Sequence, residues 1–421
     1  MNQLRQSSFV TKTLKESKLD QSINSQLLIR AGYIRQLMAG VYTYLPLGYR
    51  VLSKIEELIR NEMSKLSSQE VLMPAIHPKQ NWETTNRWDS LDVLFKIKSQ
   101  SNKEFALGPT HEEIATPLIG EFISSYKDLP LSIFQIQTKF RDEPRAKSGL
   151  FRGREFRMKD LYSFHLSEND LNDYYQKVLN SYLNIFNKCG LADLTYLTTA
   201  SGGSFSKYSH EFQTVSGAGE DTIYIIPDTK IAVNKEIIQD QLALKELLPS
   251  GVTVNDLIEK KAVEVGNIFK LNTKFSDAFK LNAVGKDNDS LPILMGCYGL
   301  GPSRLMGTIV ESFNDENGII WPEEIAPYQV HLISLVKTED EIEIAEKLYN
   351  DFKLQDIQVL YDDRKGVTAG QKFAESDLIG IPNRLVISSR SIKNGTLELK
   401  KRSSKKTTDL SFEKVIEYFL N

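Results

Sequence analysis

The sequence predicts an α+β protein, with a region built on antiparallel strands followed by a separate C-terminal α/β domain. Three observations carry this. Leu131–Arg141 (LSIFQIQTKFR) alternates apolar and polar residues as a half-buried strand does, and Phe156–Phe164 resembles a second strand after a turn-rich gap, so the two read as an antiparallel hairpin. From Gln329 onward strand-like and helix-like segments alternate, which indicates a parallel or mixed sheet. Between these regions Trp321–Pro327 (WPEEIAP) carries two prolines and sets a boundary, with one domain over 1–326 and another over 327–421.

Each element follows from its pattern. Between Leu47 and Leu66, Val51, Leu52, Ile55, Leu58, Ile59, Met63 and Leu66 keep the 3-and-4 spacing of an amphipathic helix. Glu70–Pro78 (EVLMPAIHP) reads as a short strand broken by Pro74, and an internal proline belongs at a sheet edge. After the hairpin, Ser167 opens a helix that turns Leu171, Tyr174, Val178, Leu179, Tyr182, Ile185 and Phe186 to one face and stops at Gly190. Strand-like stretches return at Asp221–Ile226 and Leu291–Met295, and the polar, weakly patterned residues 227–290 between them read as a small insertion. The C-terminal domain should run strand Gln329–Val336, helix Glu339–Phe352, strand Ile357–Tyr361, helix Thr368–Leu378 and strand Arg384–Ser388. Thr338 and Glu341 make a capping box for its first helix. Lys400–Lys406 (KKRSSKK) holds five basic residues in seven, read either as a solvated loop or as an RNA phosphate contact.

Composition narrows the function classes. The 421 residues include 52 Lys+Arg and 55 Asp+Glu, a net charge of −3, with 41% hydrophobic and 25% charged residues. These are ordinary globular values, which exclude a mostly disordered or collagen-like chain. Apolar runs stay far below the roughly 18 residues of a membrane span, so no membrane role is expected. Cys189 and Cys297 form neither a disulfide framework nor a Cys-x-x-Cys pair, which suits a reducing compartment. The cytoplasm is therefore expected. The opening MNQLRQSSFVTKTLKES lacks the apolar stretch of a secretory signal; its acid-free start weakly resembles a transit peptide and leaves an organellar matrix as the alternative.

Two segments suggest chemistry. Lys139–Lys159 holds eight basic residues against Asp142, Glu143 and Glu155, a local charge of +5 within a chain of −3. Between two strands this density asks for an anion such as ATP or a nucleic-acid backbone, since arginine forks bind phosphate oxygens in pairs. The other is Gly296–Arg304 (GCYGLGPSR), between an apolar strand and a helix opened by Pro302. A dinucleotide fingerprint would need glycine where Arg304 stands, so the segment reads as a tight strand-to-helix turn approachable by a ligand.

Together these residues carry a resemblance. Phe140-Arg141-Asp142-Glu143 with the arginine-rich loop and Phe156, and GLGPSR ending in Arg304, resemble the second and third motifs of class II aminoacyl-tRNA synthetases. Tyr49 through Pro74 resembles the first, a dimerisation element. Gly108-Pro109-Thr110-His111-Glu112-Glu113, Gly153-Arg154-Glu155-Phe156, Met158-Lys159-Asp160, Tyr162-Ser163-Phe164-His165 and Ser209-His210-Glu211-Phe212 are similar to the bacterial-type prolyl-tRNA synthetases. Tyr361-Asp362-Asp363-Arg364 and Asp377–Pro382 resemble that subgroup's anticodon-binding domain.

The resemblance implies a class II antiparallel-sheet catalytic core over 1–326, with 227–290 in place of a larger editing domain, and an anticodon-binding domain over 327–421. It implies activation of proline with ATP to prolyl-adenylate and transfer to the terminal adenosine of tRNA(Pro), by a homodimer using ATP with Mg2+ and no fixed protein metal site. Arg141 would clamp the α-phosphate and the proline carboxylate, and Arg304 would cover the adenine and reach the γ-phosphate. Glu143 and Phe156 would hold the adenine, with Gln213 and Thr214 as further ATP contacts. Thr110 and Glu112 would receive the imino nitrogen of proline and His165 would close its ring pocket. Asp362, Asp363, Arg364 and Lys372 would be anticodon candidates. Without the motif context Phe156 is a core aromatic, His165 a polar strand end and Glu112 a first-turn helix acid. Glu264–Ser276 resembles the family element that flanks the third motif, with Asn267 and Asn272 where His and Gly are expected. The alternatives are a threonyl- or histidyl-type relative, the former wanting a Cys/His zinc site, and an inactive synthetase-like RNA-binding protein, against which Arg141, Glu143, Phe156 and Arg304 speak.

Overall fold

The computed structural model describes residues 4–16, 22–203 and 205–420. Residues 1–3 and 17 of the opening stretch lie outside them. The chain divides into two compact units, one of Leu37–Tyr42 and Ile55–Thr308, the other of Met1–Gln36, Thr43–Lys54 and Ile309–Asn421.

The first unit is organised by a nine-stranded sheet. Its strands are β1 (Gln69–Glu70), β2 (Leu131–Phe140), β3 (Glu155–His165), β4 (Thr195–Ser201), β5 (Tyr208–Val215), β6 (Asp221–Ile225), β7 (Ile231–Asn234), β8 (Ile258–Asn272) and β9 (Leu294–Leu300). The order is β5-β4-β7-β6-β8-β9-β3-β2-β1, with β5 also pairing β8. The expected hairpin is its centre: β2 and β3 are antiparallel along their whole shared length, from Leu131 opposite Phe164 to Phe140 opposite Glu155. Because successive side chains point to opposite faces, Phe156, Met158, Asp160, Tyr162 and Phe164 share one face and Arg157, Lys159, Leu161, Ser163 and His165 the other. Tyr162 and Phe164 pack with Ile133, Met295 and Cys297. The opposite face meets two helices, α1 (Pro46–Lys65) through the Arg157–Glu56 ion pair at 2.7 Å, and α3 (Glu168–Lys188) through the Tyr174 hydroxyl, which donates to Ser132 Oγ at 2.8 Å. A further helix, α2 (Glu112–Gly120), packs Ala115 and Ile119 on the first face.

Several expectations are corrected. Glu70–Pro78 is not one strand: β1 runs parallel to β2 at the sheet edge, while Ile76–Pro78 pairs with Glu104–Leu107 in a separate three-stranded sheet. Residues 227–290 are not merely an insertion, since β8 lies between β6 and β9 in the main sheet. Its polar residues Glu264, Asn267 and Lys270 recur every third position along a strand buried on both faces, which hides the period of two. Gly296–Leu300 is strand and not turn, with Gly301 alone separating β9 from α4 (Pro302–Ser312). At Gly299 an added Cβ would stand 2.9 Å from Asn267 Oδ1 on the paired strand, so a larger residue there would push that side chain aside. In α3, capped as expected by Ser167, Tyr175 and not Tyr174 is the buried aromatic of its first turns.

The second unit carries a six-stranded mixed sheet. Strands β10 (Val330–Leu335), β11 (Val359–Asp362) and β12 (Asn383–Ser388) are parallel, and β13 (Thr396–Lys401) and β14 (Thr407–Ser411) extend it antiparallel. Helix α5 (Glu339–Leu354) starts in the expected Thr338/Glu341 capping box and buries Ala345, Leu348, Tyr349 and Phe352. Helix α6 (Ala369–Ile379) follows, capped by Thr368. Residues far earlier in the sequence are also tied into this unit. Tyr33 donates to Ile379 O at 2.8 Å, Arg50 Nε donates to Pro327 O at 2.8 Å, and Leu4–Arg5 adds a parallel edge strand to β11. Among the described residues no helix is long and apolar enough to cross a membrane.

Asn272 has φ +49° where the β8–β9 register shifts, a conformation asparagine tolerates and β-branched residues do not. Asn272→Val should cost about 1–2 kcal/mol in urea unfolding while Asn272→Gly stays close to wild type. Equal stability of the two variants would contradict this account.

Candidate active site

The connection between β2 and β3 starts the site. The Arg141 N–H donates to Arg154 O at 2.9 Å, Asp142 N–H to Val93 O at 2.8 Å and Arg154 N–H to Gly40 O at 2.8 Å, so the mouth of the basic loop is pinned on three sides. Beside it lies a cavity of about 350 Å³, bordered by Arg141, Glu143, Phe156, Glu264 and Arg304. Four residues from two distant segments of sequence, Arg141, Glu143, Phe156 and Arg304, thus face one space.

Their electrostatics differ. The Arg141 guanidinium lies 5.1 Å from the Phe156 ring centroid and, among the described residues, has no hydrogen bond or ion pair. Burial lowers its pKa, the nearby charge of Arg304 lowers it further, and Glu264, Glu143 and Glu112 oppose the shift. A half-buried cation repelled by a second cation favours an anion alongside both. Arg304 is already engaged, with Nε donating to Phe151 O at 3.0 Å and Nη1 to Glu264 O at 2.8 Å, and ion-paired to Glu264 at 3.3 Å. Burial works against ionisation of Glu143, but the hydrogen bond and charge of Arg152 at 2.8 Å hold its carboxyl below the usual range. The other oxygen, Glu143 Oε1, is buried without a partner among the described residues and can accept a hydrogen bond.

Thr110 and Glu112 stand at the start of α2. Phe140 N–H donates to Gly108 O at 3.1 Å, which holds this segment against the end of β2, and a Cβ at Gly108 would come within 2.5 Å of the His77 ring. Glu112 is fully buried; it accepts from the Thr110 hydroxyl at 2.6 Å and the Cys297 thiol at 3.1 Å, and Arg87 stands 3.6 Å away. Its charge is among those that oppose the lowering of the Arg141 pKa, although neither Thr110 nor Glu112 borders the cavity.

Other candidates also lie outside it. His165 lies on the opposite face of β3 from Tyr162, with Nδ1 2.7 Å from Asp170 and its ring 5.4 Å from that of Tyr174. It does not border the cavity. Gln213 is buried one layer behind the cavity, its Nε2 donating to Glu211 Oε2 at 2.9 Å and to the cavity residue Asp221 at 2.8 Å. Thr214 points to the other face and shares a 2.9 Å hydrogen bond with Thr195. In the second unit Asp362 is fully buried, accepts from Arg364 Nη2 at 2.7 Å and sits 3.5 Å from buried Lys372, so both Asp362 and Lys372 serve the interior. Asp363 accepts from the Ser7 N–H at 3.0 Å. Arg402, within the basic run, is buried and paired to Asp315, which corrects its reading as solvated loop or RNA contact.

Sequence reasoning missed Glu264, Asp221 and Arg87 as site residues. Glu264 opened an element already singled out; Asp221 and Arg87 carried no local signal, since only pairing across the sheet and α2 brings them in.

Residues 95–313 match the tRNA synthetase class II core domain (G, H, P, S and T), and residues 329–421 match the anticodon binding domain. The chain belongs to the class II aminoacyl-tRNA synthetases. It is 38% identical to a proline–tRNA ligase of Wolbachia sp. subsp. Brugia malayi and 39% to that of Ehrlichia ruminantium, each over 99% of both chains. Within the class it is a member of the proline–tRNA ligase family, and the threonyl- and histidyl-type alternatives fall away. Alignment with the Bacillus subtilis enzyme, 32% identical, spans 560 positions, longer than this chain of 421, so that relative carries sequence absent here. In fold, the chain is similar to the Giardia lamblia prolyl-tRNA synthetase solved in complex with prolyl-adenylate, with a TM-score of 0.77 at 19% identity over 93% of this chain and 74% of that one.

Burial, and then the charge of Glu264, push the Glu211 carboxyl up to about 8. A carboxyl raised on folding supports the native state fully below its unfolded pKa, and that support is lost as pH climbs from about 4.5 to 8. Glu211→Gln should therefore flatten the pH dependence of the urea midpoint across this window and gain about 1–2 kcal/mol on wild type by pH 8. Parallel pH profiles would refute the shift.

Proposed function

We propose that Arg141 is the reaction's central group, gripping both the α-phosphate of ATP and the carboxylate of proline while the carboxylate oxygen attacks phosphorus and pyrophosphate leaves. The observation that carries this is a half-buried arginine that borders the cavity together with a second one and has no protein anion of its own. Holding the reactants together and neutralising the growing phosphoryl charge lowers the barrier without a protein nucleophile. Phe156 stacks on the adenine, Glu143 Oε1 accepts from its amino group, and Arg304 covers the far face. Glu112 and Thr110 hold the secondary ammonium of proline. The prolyl group then passes to the terminal adenosine of tRNA(Pro), whose anticodon the C-terminal domain binds.

ATP enters as its magnesium complex. Among the described residues no three histidine, cysteine or carboxylate side chains form a group able to hold an ion, while Glu264 and Asp221 border the cavity, a donor set suited to an ion carried in by the phosphates. The proposed compartment is the cytoplasm, in keeping with two buried cysteines outside any disulfide.

Arg141→Ala should lower proline-dependent ATP–pyrophosphate exchange about 100-fold or more, the scale of losing a buried transition-state donor. Its melting temperature should hold, because the guanidinium supports no other residue. Exchange near the wild-type rate would remove Arg141 from the mechanism.

The proposed assembly is a homodimer formed through the Tyr49–Pro74 region. Supporting it, β1 ends the sheet with one edge unpaired and Leu72 beside it is 80% exposed. Sedimentation at micromolar concentration should give twice the chain mass, and Leu72→Glu should shift it toward the single chain. A fully active monomer would overturn the assembly.

A further inference from the structure

Several residues of the recognised motifs have no place in the ATP cavity: His111, Lys139, Asp160 and Tyr162. The structure gathers them behind the Thr110–Glu112 turn, and His111, Lys139 and Tyr162 are fully buried. Chemistry assigns every proton. His111 Nε2 is 3.0 Å from Pro74 O, and a carbonyl only accepts, so Nε2 carries the ring hydrogen. Nδ1 is left with a lone pair, and Lys139 Nζ, 2.6 Å away, donates to it. The same ammonium is ion-paired with Asp160 Oδ1 at 2.8 Å. Asp160 Oδ2 accepts from Gln135 Nε2 at 3.0 Å and from the Tyr162 hydroxyl at 3.1 Å. With its hydrogen committed there, the Tyr162 oxygen accepts the backbone N–H of His111 at 2.9 Å. The path closes on itself, from the His111 ring through Lys139, Asp160 and Tyr162 to the His111 backbone.

We infer that Tyr162 is a positioning residue for the proline pocket, holding the turn by His111 so that Thr110 and Glu112 on either side meet the substrate's ammonium. The inference rests on the proposed reading of Thr110 and Glu112 as proline contacts. His111 is the residue before the first turn of α2, its side chain makes no capping bond, and its N–H depends on Tyr162. Without the hydroxyl that N–H is left unpaired in a dry interior, and the turn must shift to satisfy it. A shift moves the Thr110 hydroxyl, which orients Glu112 from 2.6 Å. Lys139 and Asp160 cancel in charge, so the ring imposes geometry and leaves the negative charge of Glu112 to the substrate. Arg87, the cation nearest Glu112, is closer to Glu113, at 2.8 Å against 3.6 Å. None of the four ring residues borders the ATP cavity.

The test is steady-state ATP–pyrophosphate exchange by the full chain, comparing wild type, Tyr162→Phe and Glu112→Gln. Tyr162→Phe should raise the KM for proline about tenfold, as expected for one displaced contact, with the KM for ATP and kcat within about twofold. A residue that only stabilised the fold would lower the melting temperature and leave the two KM values in proportion. Asp160→Asn keeps an acceptor for the Tyr162 hydrogen but removes the charge that orients Lys139. It should show the same split in smaller measure, and it is read in the same way if Tyr162→Phe proves insoluble. An unchanged KM for proline, or equal rises for both substrates, overturns the positioning role. If Glu112→Gln also leaves the KM for proline unchanged, the reading of the pocket itself fails; if Glu112→Gln raises it and Tyr162→Phe does not, only the role of Tyr162 is lost.

Discussion

Backbone hydrogen bonds that set Leu131 opposite Phe164 and Phe140 opposite Glu155 decide where every reacting side chain of the first unit can stand. Pairing in this register sorts β3 into two faces, and no side chain can change face without slipping the whole strand. Phe156 and Met158 reach the cavity, and Asp160 and Tyr162 reach the turn before α2. Arg157, Lys159 and His165 are sent to the helices behind. The loop joining the two strands then places Arg141 and Glu143 within the same space.

The site gathers charge that water no longer screens. Arg141 and Arg304 face one cavity, Glu112 and Glu113 are both fully buried around Arg87, and Lys139 is fully buried as well. Each buried charge costs stability unless paired. Lys139 has Asp160 and Arg304 has Glu264, whereas Arg141 has only the face of an aromatic ring. The unpaired member is thus the one left with a charge to offer to a bound anion. Glu264 and Asp221 border the same cavity, and burial together with the charge of Glu264 raises the carboxyls of both Glu211 and Asp221.

Glycine and asparagine permit this crowding. At Gly299 a side chain would strike Asn267 across the β8–β9 pair, and Asn272 turns through a left-handed conformation where the strands lose register. Asn267 also donates to Glu264 Oε1 at 2.7 Å, holding the carboxylate that in turn holds Arg304. Both asparagines, where the sequence pattern led to His and Gly, thus have structural roles in this chain.

Much of this was determined by the sequence alone. Periodicity located the β2–β3 hairpin, α1, α3 and the alternating C-terminal elements, because amphipathic order is written locally. The motifs marked Arg141, Glu143, Phe156 and Arg304, which the structure brings to one cavity. The tertiary structure decided the rest. It placed β8 inside the sheet, since a strand buried on both faces has no alternation to read. It left His165 off the cavity and drew Asp362 and Lys372 into the interior of the second unit, since the face a side chain takes depends on pairing with distant strands. It also joined His111, Lys139, Asp160 and Tyr162 into one ring. Their hydrogen bonds run between β2, β3 and the turn before α2, and such contacts exist only once separate segments have been folded together.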